Sequence, residues 1–207
     1  MIKNVIFDLG QVLIEWKPIN LLRNFTNNEE DIHLLETICT SDEWERLDEG
    51  TITKQEVLEN VSKRLPSRLK NIAKKFIYHY AEYLVLNDDI CEIAMKLKEN
   101  GYHIYVLSNT DEADYWEIQK RYIGKYIDGY LISAQEKMLK PNREIYLRLF
   151  EKFNLKPQEC FFIDDKEDNI IGGQKLGMEG HVLNREKYGT IELLKDFEKY
   201  GIKYERE

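Results

Sequence analysis

Short apolar, β-branched runs that stop at polar residues recur along this chain and alternate with helical segments. This alternation limits the possible fold more than any other feature. Lys3 to Phe7 is such a run, and it stops at Asp8. Tyr102 to Leu107 stops at Ser108-Asn109-Thr110, and Cys160 to Ile163 stops at Asp164-Asp165. Weaker runs lie at Tyr130 to Ser133 and His181 to Leu183. Runs that are apolar throughout, rather than alternating, belong to strands buried on both faces. The segments between them have a helical period. Asp88 to Asn100 carries Ile90, Ile93, Ala94 and Leu97 on one face and ends at Gly101. Asn142 to Phe153 carries Ile145, Leu149 and Phe153, and further helices are expected over Glu112 to Arg121 and Asp168 to Leu176. The pattern predicts an α/β fold: a Rossmann-like parallel sheet core with helices on both faces.

One stretch breaks the alternation. From about Pro18 to Leu86 the sequence is helical in period and nearly free of strand candidates. Ser41-Asp42-Glu43-Trp44 offers a helix start, and Thr53 with Glu56 three residues on fits a capping box. After Pro66 another helix carries Leu69, Ile72, Ala73, Phe76, Ile77 and Tyr80. The chain is therefore expected to divide into an α/β core of residues 1–15 and 86–207 and a helical cap of residues 16–85. Inserted after the first strand, the cap is placed to cover the carboxyl ends of the strands, where open α/β sheets bind ligands.

Composition narrows the function. The chain has 207 residues, 43% of them hydrophobic, which suits one domain with an insertion. Its net charge of −8 opposes polyphosphate backbones, so no nucleic-acid partner is expected. No apolar run approaches the ~20 residues that span a bilayer, so no membrane association is expected. The start is too short in its apolar part for a secretory signal, and Cys39, Cys91 and Cys160 are odd in number and widely spaced. These features fit a cytoplasmic protein, expected as a monomer or weak homodimer. The tail from Tyr204 is charged and expected to fray.

A parallel sheet brings its strand tips together. Asp8, Ser108-Asn109 and Asp164-Asp165 would then meet, with Lys140-Pro141 nearby at the head of a helix. Three close carboxylates repel one another unless a cation sits among them. Mg²⁺ suits such a set, since it prefers oxygen ligands and keeps phosphate oxygens in its shell. The lysine and the seryl hydroxyl suit the remaining phosphate oxygens, and an ionised carboxylate beside the metal can attack phosphorus. Trp16, where the chain enters the cap, is a candidate substrate platform.

Four ordered segments carry a resemblance: Phe7-Asp8-Leu9-Gly10-Gln11-Val12-Leu13, Leu107-Ser108-Asn109-Thr110, Lys140-Pro141 and Phe162-Ile163-Asp164-Asp165-Lys166-Glu167-Asp168-Asn169. In order and spacing the chain resembles the haloacid dehalogenase-like hydrolases over about residues 3–185. The insert resembles that family's small helical cap. The Phe-Asp-Leu-Gly start and the Glu49-Gly50-Thr51-Ile52 turn are similar to those of bacterial phosphatases acting on glucose 1-phosphate. The phosphatase domain of mammalian epoxide hydrolase is a more distant likeness. The resemblance implies Asp8 as nucleophile and metal ligand, with the Gly10 carbonyl, Asp164 and Asp165 also at Mg²⁺. Either aspartate of that pair is open as the inner-sphere ligand. It implies Ser108 and Lys140 as catalytic residues holding the phosphoryl group, with Asn109 beside them and Asp168 and Asn169 fixing the loop. The expected activity is Mg²⁺-dependent hydrolysis of a small phosphomonoester through an aspartyl-phosphate, with a sugar 1-phosphate as the finer expectation. A metal-independent 2-haloacid dehalogenase and a non-catalytic phospho-ligand-binding protein are the alternatives.

The chain departs from the family pattern at one position. Most phosphatases of the family carry an acid–base aspartate two residues after the nucleophile; here that residue is Gly10. An anomeric leaving oxygen, being acidic, would suffer least from the loss. Gln11, Glu15 and Glu49 are candidate substitutes.

Overall fold

The computed structural model describes residues 1–204, so the charged tail beyond Tyr204 lies outside the described residues. Its strands are β1 (Asn4–Phe7), β2 (Ile14–Glu15), β3 (Val85–Leu86), β4 (His103–Ser108), β5 (Gly129–Ile132), β6 (Cys160–Asp164) and β7 (Glu179–Val182). Five of them form one sheet in the order β5-β4-β1-β6-β7, parallel at every pairing. The expected Rossmann-like α/β core is what the chain forms.

Pleating assigns side chains to the two faces of this sheet. Val5, Phe7, Val106, Phe161 and Ile163 enter one apolar cluster, which also receives Ile90, Ala94 and Leu97 from the helix Asp88–Glu99. Ile6, Leu107 and Phe162 enter the other, with Ile145, Tyr146 and Leu149. Both faces are covered, as continuous apolar strands require. The register pairs Phe7 with Val106 and with Ile163. Asp8 therefore comes level with Leu107 and Asp164 at the carboxyl edge.

The helices in chain order begin with α1 (Pro18–Leu22), α2 (Glu29–Glu36), α3 (Asp42–Asp48), α4 (Lys54–Arg64) and α5 (Lys70–His79). These five lie between β2 and β3. After β3 follow α6 (Asp88–Glu99), α7 (Glu112–Lys120), α8 (Ser133–Glu136), α9 (Arg143–Phe153), α10 (Glu167–Gln174), α11 (Arg185–Tyr188) and α12 (Ile191–Tyr200). Ser41 caps α3 by accepting from Trp44 N, and Thr53 and Glu56 form the expected capping box on α4. In α10, a Cβ at Gly172 would collide with Tyr146 Oη, so that glycine serves close packing rather than phosphate binding.

Two features were not anticipated from the sequence. β2 and β3 form an antiparallel ribbon, pairing Ile14 with Leu86 and Glu15 with Val85, so the chain leaves and re-enters the core side by side. Two-residue strands carry no periodicity to read. The C-terminal α12 buries Leu193 and Phe197, an i,i+4 pair, against the sheet cluster. The last strand also starts earlier than expected, at Glu179, because Gly180 blurs its apolar pattern.

Candidate active site

Asp8 follows directly on β1, and its backbone N–H donates to Ile163 O at 2.9 Å, which prolongs the strand by one residue. Ser108 ends β4, and Asp164 ends β6. The loop after α8 brings Lys140 into the same edge. All four side chains are nearly inaccessible from outside.

Lys140 organises the group. Its Nζ donates to Leu107 O at 2.9 Å and to Asp164 Oδ2 at 2.6 Å, and lies 2.9 Å from Asp8 Oδ1. Burial works to lower the ammonium pKa, but the carboxylates of Asp8 and Asp164 outweigh it and hold the lysine above its ordinary value. Asn109 fixes the lysine in place. Its Nδ2 donates to Lys140 O at 2.9 Å, and its Oδ1 accepts from Lys140 N at 2.8 Å. The Asn109 side chain borders the cavity, yet its amide is committed to the lysine loop.

The aspartate pair divides its work. Asp164 Oδ1 accepts from Lys166 N at 2.8 Å and Asn169 Nδ2 at 2.9 Å, while Oδ2 takes Lys140. Asn169 thus fixes the loop, as the resemblance implies; Asp168 is exposed in the first turn of α10. Asp165 is half-buried and borders the cavity. Burial, then the charges of Asp8 and Asp164, push its carboxyl up to about 6. Burial likewise pushes Asp8 up, against the pull of Lys140 and a hydrogen bond from Ser108. One oxygen each of Asp8, Asp164 and Asp165 lie within 4.8 Å of one another. Three carboxylates against one ammonium leave two negative charges in a buried pocket, and the donors are all hard oxygens. A divalent cation such as Mg²⁺ fits that donor set.

The site opens into a cavity of about 600 Å³ bounded by both the strand edge and the insert. Gly10 and Trp16 border it, and a Cβ on Gly10 would stand 3.7 Å from Trp16 Cβ, an ordinary contact. Trp16 packs with Trp44 and Tyr80, ring centroids 5.2–5.9 Å apart, into an aromatic wall. Of the three candidate substitutes for the missing acid, only Gln11 borders the cavity, and an amide transfers no proton. Glu15 pairs with Lys17 at 2.8 Å, and Glu49 accepts from Thr51. The cavity has four further acids that sequence reasoning did not assign to the site, Asp42, Glu45, Asp48 and Asp114. Asp48 sits one residue before the Glu49-Gly50-Thr51-Ile52 turn singled out above. Asp114 lies in the first turn of α7, where an acid reads as a helix-dipole partner.

A model of the haloacid dehalogenase-like hydrolase family matches residues 2–177. The chain belongs to that family. It is 28% identical to a sesquiterpene phosphatase of Aspergillus oryzae, over 86% of this chain and 88% of the relative. It is 24% identical to a D-ribitol-5-phosphate phosphatase of Bacteroides thetaiotaomicron, over 86% of this chain and 90% of the relative. Among solved structures, a haloacid dehalogenase-like family enzyme from Bacteroides thetaiotaomicron, in complex with magnesium and inorganic phosphate, superposes with a TM-score of 0.70 at 26% identity. The match covers 89% of this chain and 95% of that one. Among the described residues, no helix is long and apolar enough to cross a membrane.

Proposed function

We propose that the chain is a Mg²⁺-dependent phosphomonoester hydrolase acting on a small phosphorylated sugar or polyol through an aspartyl-phosphate on Asp8. The carrying observation is the cluster of Asp8, Asp164 and half-buried Asp165, with Lys140 paired to the first two, which is formally two positive charges short of neutrality. Asp8, Asp165 and the Gly10 carbonyl would hold the metal. Asp164, whose oxygens already accept from Lys166, Asn169 and Lys140, would stand behind and orient the group. The metal supplies charge neutralisation, so that an anionic nucleophile can approach an anionic phosphate. Ser108 and Lys140 hold the phosphoryl oxygens, Asn109 keeps Lys140 in register, and residues 16–85 act as the lid that selects the leaving group.

Several features support this reading over the alternatives. A metal-independent dehalogenase has no use for an uncompensated carboxylate trio, and a decayed site would have lost more than the acid at position 10. The cavity wall beyond the phosphate end carries Asp42 and Glu45, which repel leaving groups bearing a second phosphate or a carboxylate. Neutral hydroxylated groups suit that wall, with Trp16 as a stacking face. The aromatic wall also favours a second reading, an isoprenoid monophosphate.

The test is a panel of hexose 1- and 6-phosphates, pentitol phosphates and farnesyl phosphate, each with Mg²⁺ and with EDTA. Hydrolysis that needs Mg²⁺ and disappears in Asp8→Asn is expected. Activity undiminished by either change overturns the reading. The 1-phosphate expectation further assumes that nothing else near Gly10 delivers a proton.

A further inference from the structure

We infer that Asp48, on the helical insert, supplies the proton that Gly10 cannot: it protonates the leaving oxygen and then activates the attacking water. This rests on the aspartyl-phosphate chemistry proposed above.

Position is the first ground. Asp48 ends α3 and borders the same cavity as Asp8, Gly10, Ser108 and Lys140, but from the insert's side, where the leaving group must lie. Its backbone is pinned to the core. Ser133 Oγ donates to Asp48 O and accepts from Thr110 N at 2.8 Å, two residues beyond Ser108. Two residues on, Gly50 has a φ of +74° and lies so close to Ala134 that a Cβ would strike its carbonyl. The turn carrying Asp48 is thus docked on the segment that carries the phosphoryl-binding serine. A proton donor needs that kind of fixed distance from the reacting centre.

Charge is the second ground. Facing Asp48 are Asp111 and Asp114 from the α7 side and Lys166 from the loop after β6. Tyr80 and Lys54, the other polar groups packed there, are committed to Asp111. Tyr80 Oη donates to Asp111 Oδ1 at 2.9 Å, and Lys54 Nζ lies 2.8 Å from Asp111 Oδ2. Asp111 Oδ1 also accepts from Ala113 N and caps α7. Asp111 is therefore a structural carboxylate, held by Tyr80, Lys54 and the α7 backbone. Asp114 is 5% exposed, and Thr110 Oγ1 donates to its Oδ2 at 2.6 Å, yet its Oδ1 is buried without a partner beside the cavity. An acceptor left vacant at a cavity wall points to a ligand hydroxyl or a shared proton. Burial and then the charges of Asp111 and Asp114 hold Asp48 well above the usual carboxylate range, despite Lys166. A shift in that direction is what a general acid requires.

The steps balance. Asp8 attacks phosphorus, the ester P–O bond breaks, and its electron pair takes the proton of Asp48, leaving the alcohol and an ionised Asp48. Water then adds to the aspartyl-phosphate while Asp48 takes its proton; the acyl P–O bond breaks, and Asp8 and phosphate are released. With a proton available, hydrolysis extends beyond anomeric leaving groups to ordinary sugar and polyol hydroxyls.

The test compares wild type with Asp48→Asn on a hexose 6-phosphate and on p-nitrophenyl phosphate, using kcat/KM, which reports the step up to P–O cleavage. The variant is expected to lose ~10²–10⁴-fold on the sugar phosphate and under ~10-fold on the nitrophenyl ester, whose leaving group needs no proton. It should also release a burst of nitrophenolate equal to the enzyme before slow turnover, because water activation fails. Intact folding is checked by binding of inorganic phosphate in the presence of Mg²⁺. Equal losses on both esters, or none, overturn the role of Asp48. If wild type hydrolyses neither ester, the phosphatase reading fails instead.

Discussion

Lys140 directs its ammonium at three oxygens, and two of them belong to carboxylates that repel each other. Removing the lysine leaves a like-charged pair buried with no cation between them. Truncating one partner of a buried ionic group costs ~3–5 kcal/mol. Lys140→Met is expected to lower the unfolding free energy by that order at pH 7, with Mg²⁺ restoring part of the loss because it brings positive charge to Asp8. A variant whose stability ignores Mg²⁺ would show that the cation binds elsewhere. Asp114 offers the opposite case. Burial, then the charge of Asp111, push its carboxyl up to about 7. A carboxyl raised from its ordinary value of 3.8 binds a proton in the folded state that the unfolded state has released. Its cost to stability is therefore absent below about pH 4 and fully present above about pH 7. Asp114→Asn should raise the melting temperature at pH 8, by ~2–4 °C for each kcal/mol regained, and leave it nearly unchanged at pH 4. A gain equal at both pH values would mean that repulsion is not the cause.

Helix ends and crossings decide how the insert is held. The capping box on α4 closes both ways: Glu56 N donates to Thr53 Oγ1 at 3.2 Å, and Thr53 N donates to Glu56 Oε2 at 2.8 Å. Thr53→Ala should cost ~0.5–2 kcal/mol, read as a shifted urea midpoint, with kcat on p-nitrophenyl phosphate unchanged because α4 does not reach the phosphoryl end. Loss of catalysis would instead mean that α4 holds the Asp48 turn. This element was legible in advance, since Thr53 and Glu56 stand three apart ahead of an apolar period. The β2–β3 ribbon was not legible, because hydrogen bonding between residues about 70 apart leaves no local pattern at Ile14-Glu15 or Val85-Leu86. Asn87 locks that crossing by donating to Val12 O at 2.8 Å and accepting from Arg185 at 2.6 Å. That contact is equally invisible to periodicity.

For the molecule as a whole, the metal should act as a folding ligand as well as a cofactor. Binding to the folded state alone stabilises by ~2.7 kcal/mol at a hundredfold excess over Kd. Mg²⁺ should therefore raise the wild-type melting temperature and EDTA should reverse it, whereas Asp165→Asn should blunt the response. The sheet could be read from the sequence because parallel strands buried on both faces are apolar throughout, and the strand tips followed from the sheet. Asp8, Ser108, Lys140 and Asp164-Asp165 met as that geometry demands. Asp48 and Asp114 escaped because neither ends a strand. They come to one cavity wall only through tertiary packing. Asn109 was placed at the right edge, but its commitment to the Lys140 peptide depends on a loop conformation that no spacing records.

The ribbon at Ile14-Glu15 and Val85-Leu86 has an evolutionary consequence. The two ends of the insert lie one inter-strand spacing apart, ~5 Å, so a different segment of any length can be grafted there without disturbing the sheet. Ancestral chains could thus have exchanged the part that meets the alcohol while inheriting the part that meets the phosphate. Here the acid–base group would have travelled with the exchanged part, so that a glycine at position 10 became tolerable only in lineages whose graft brought its own carboxyl.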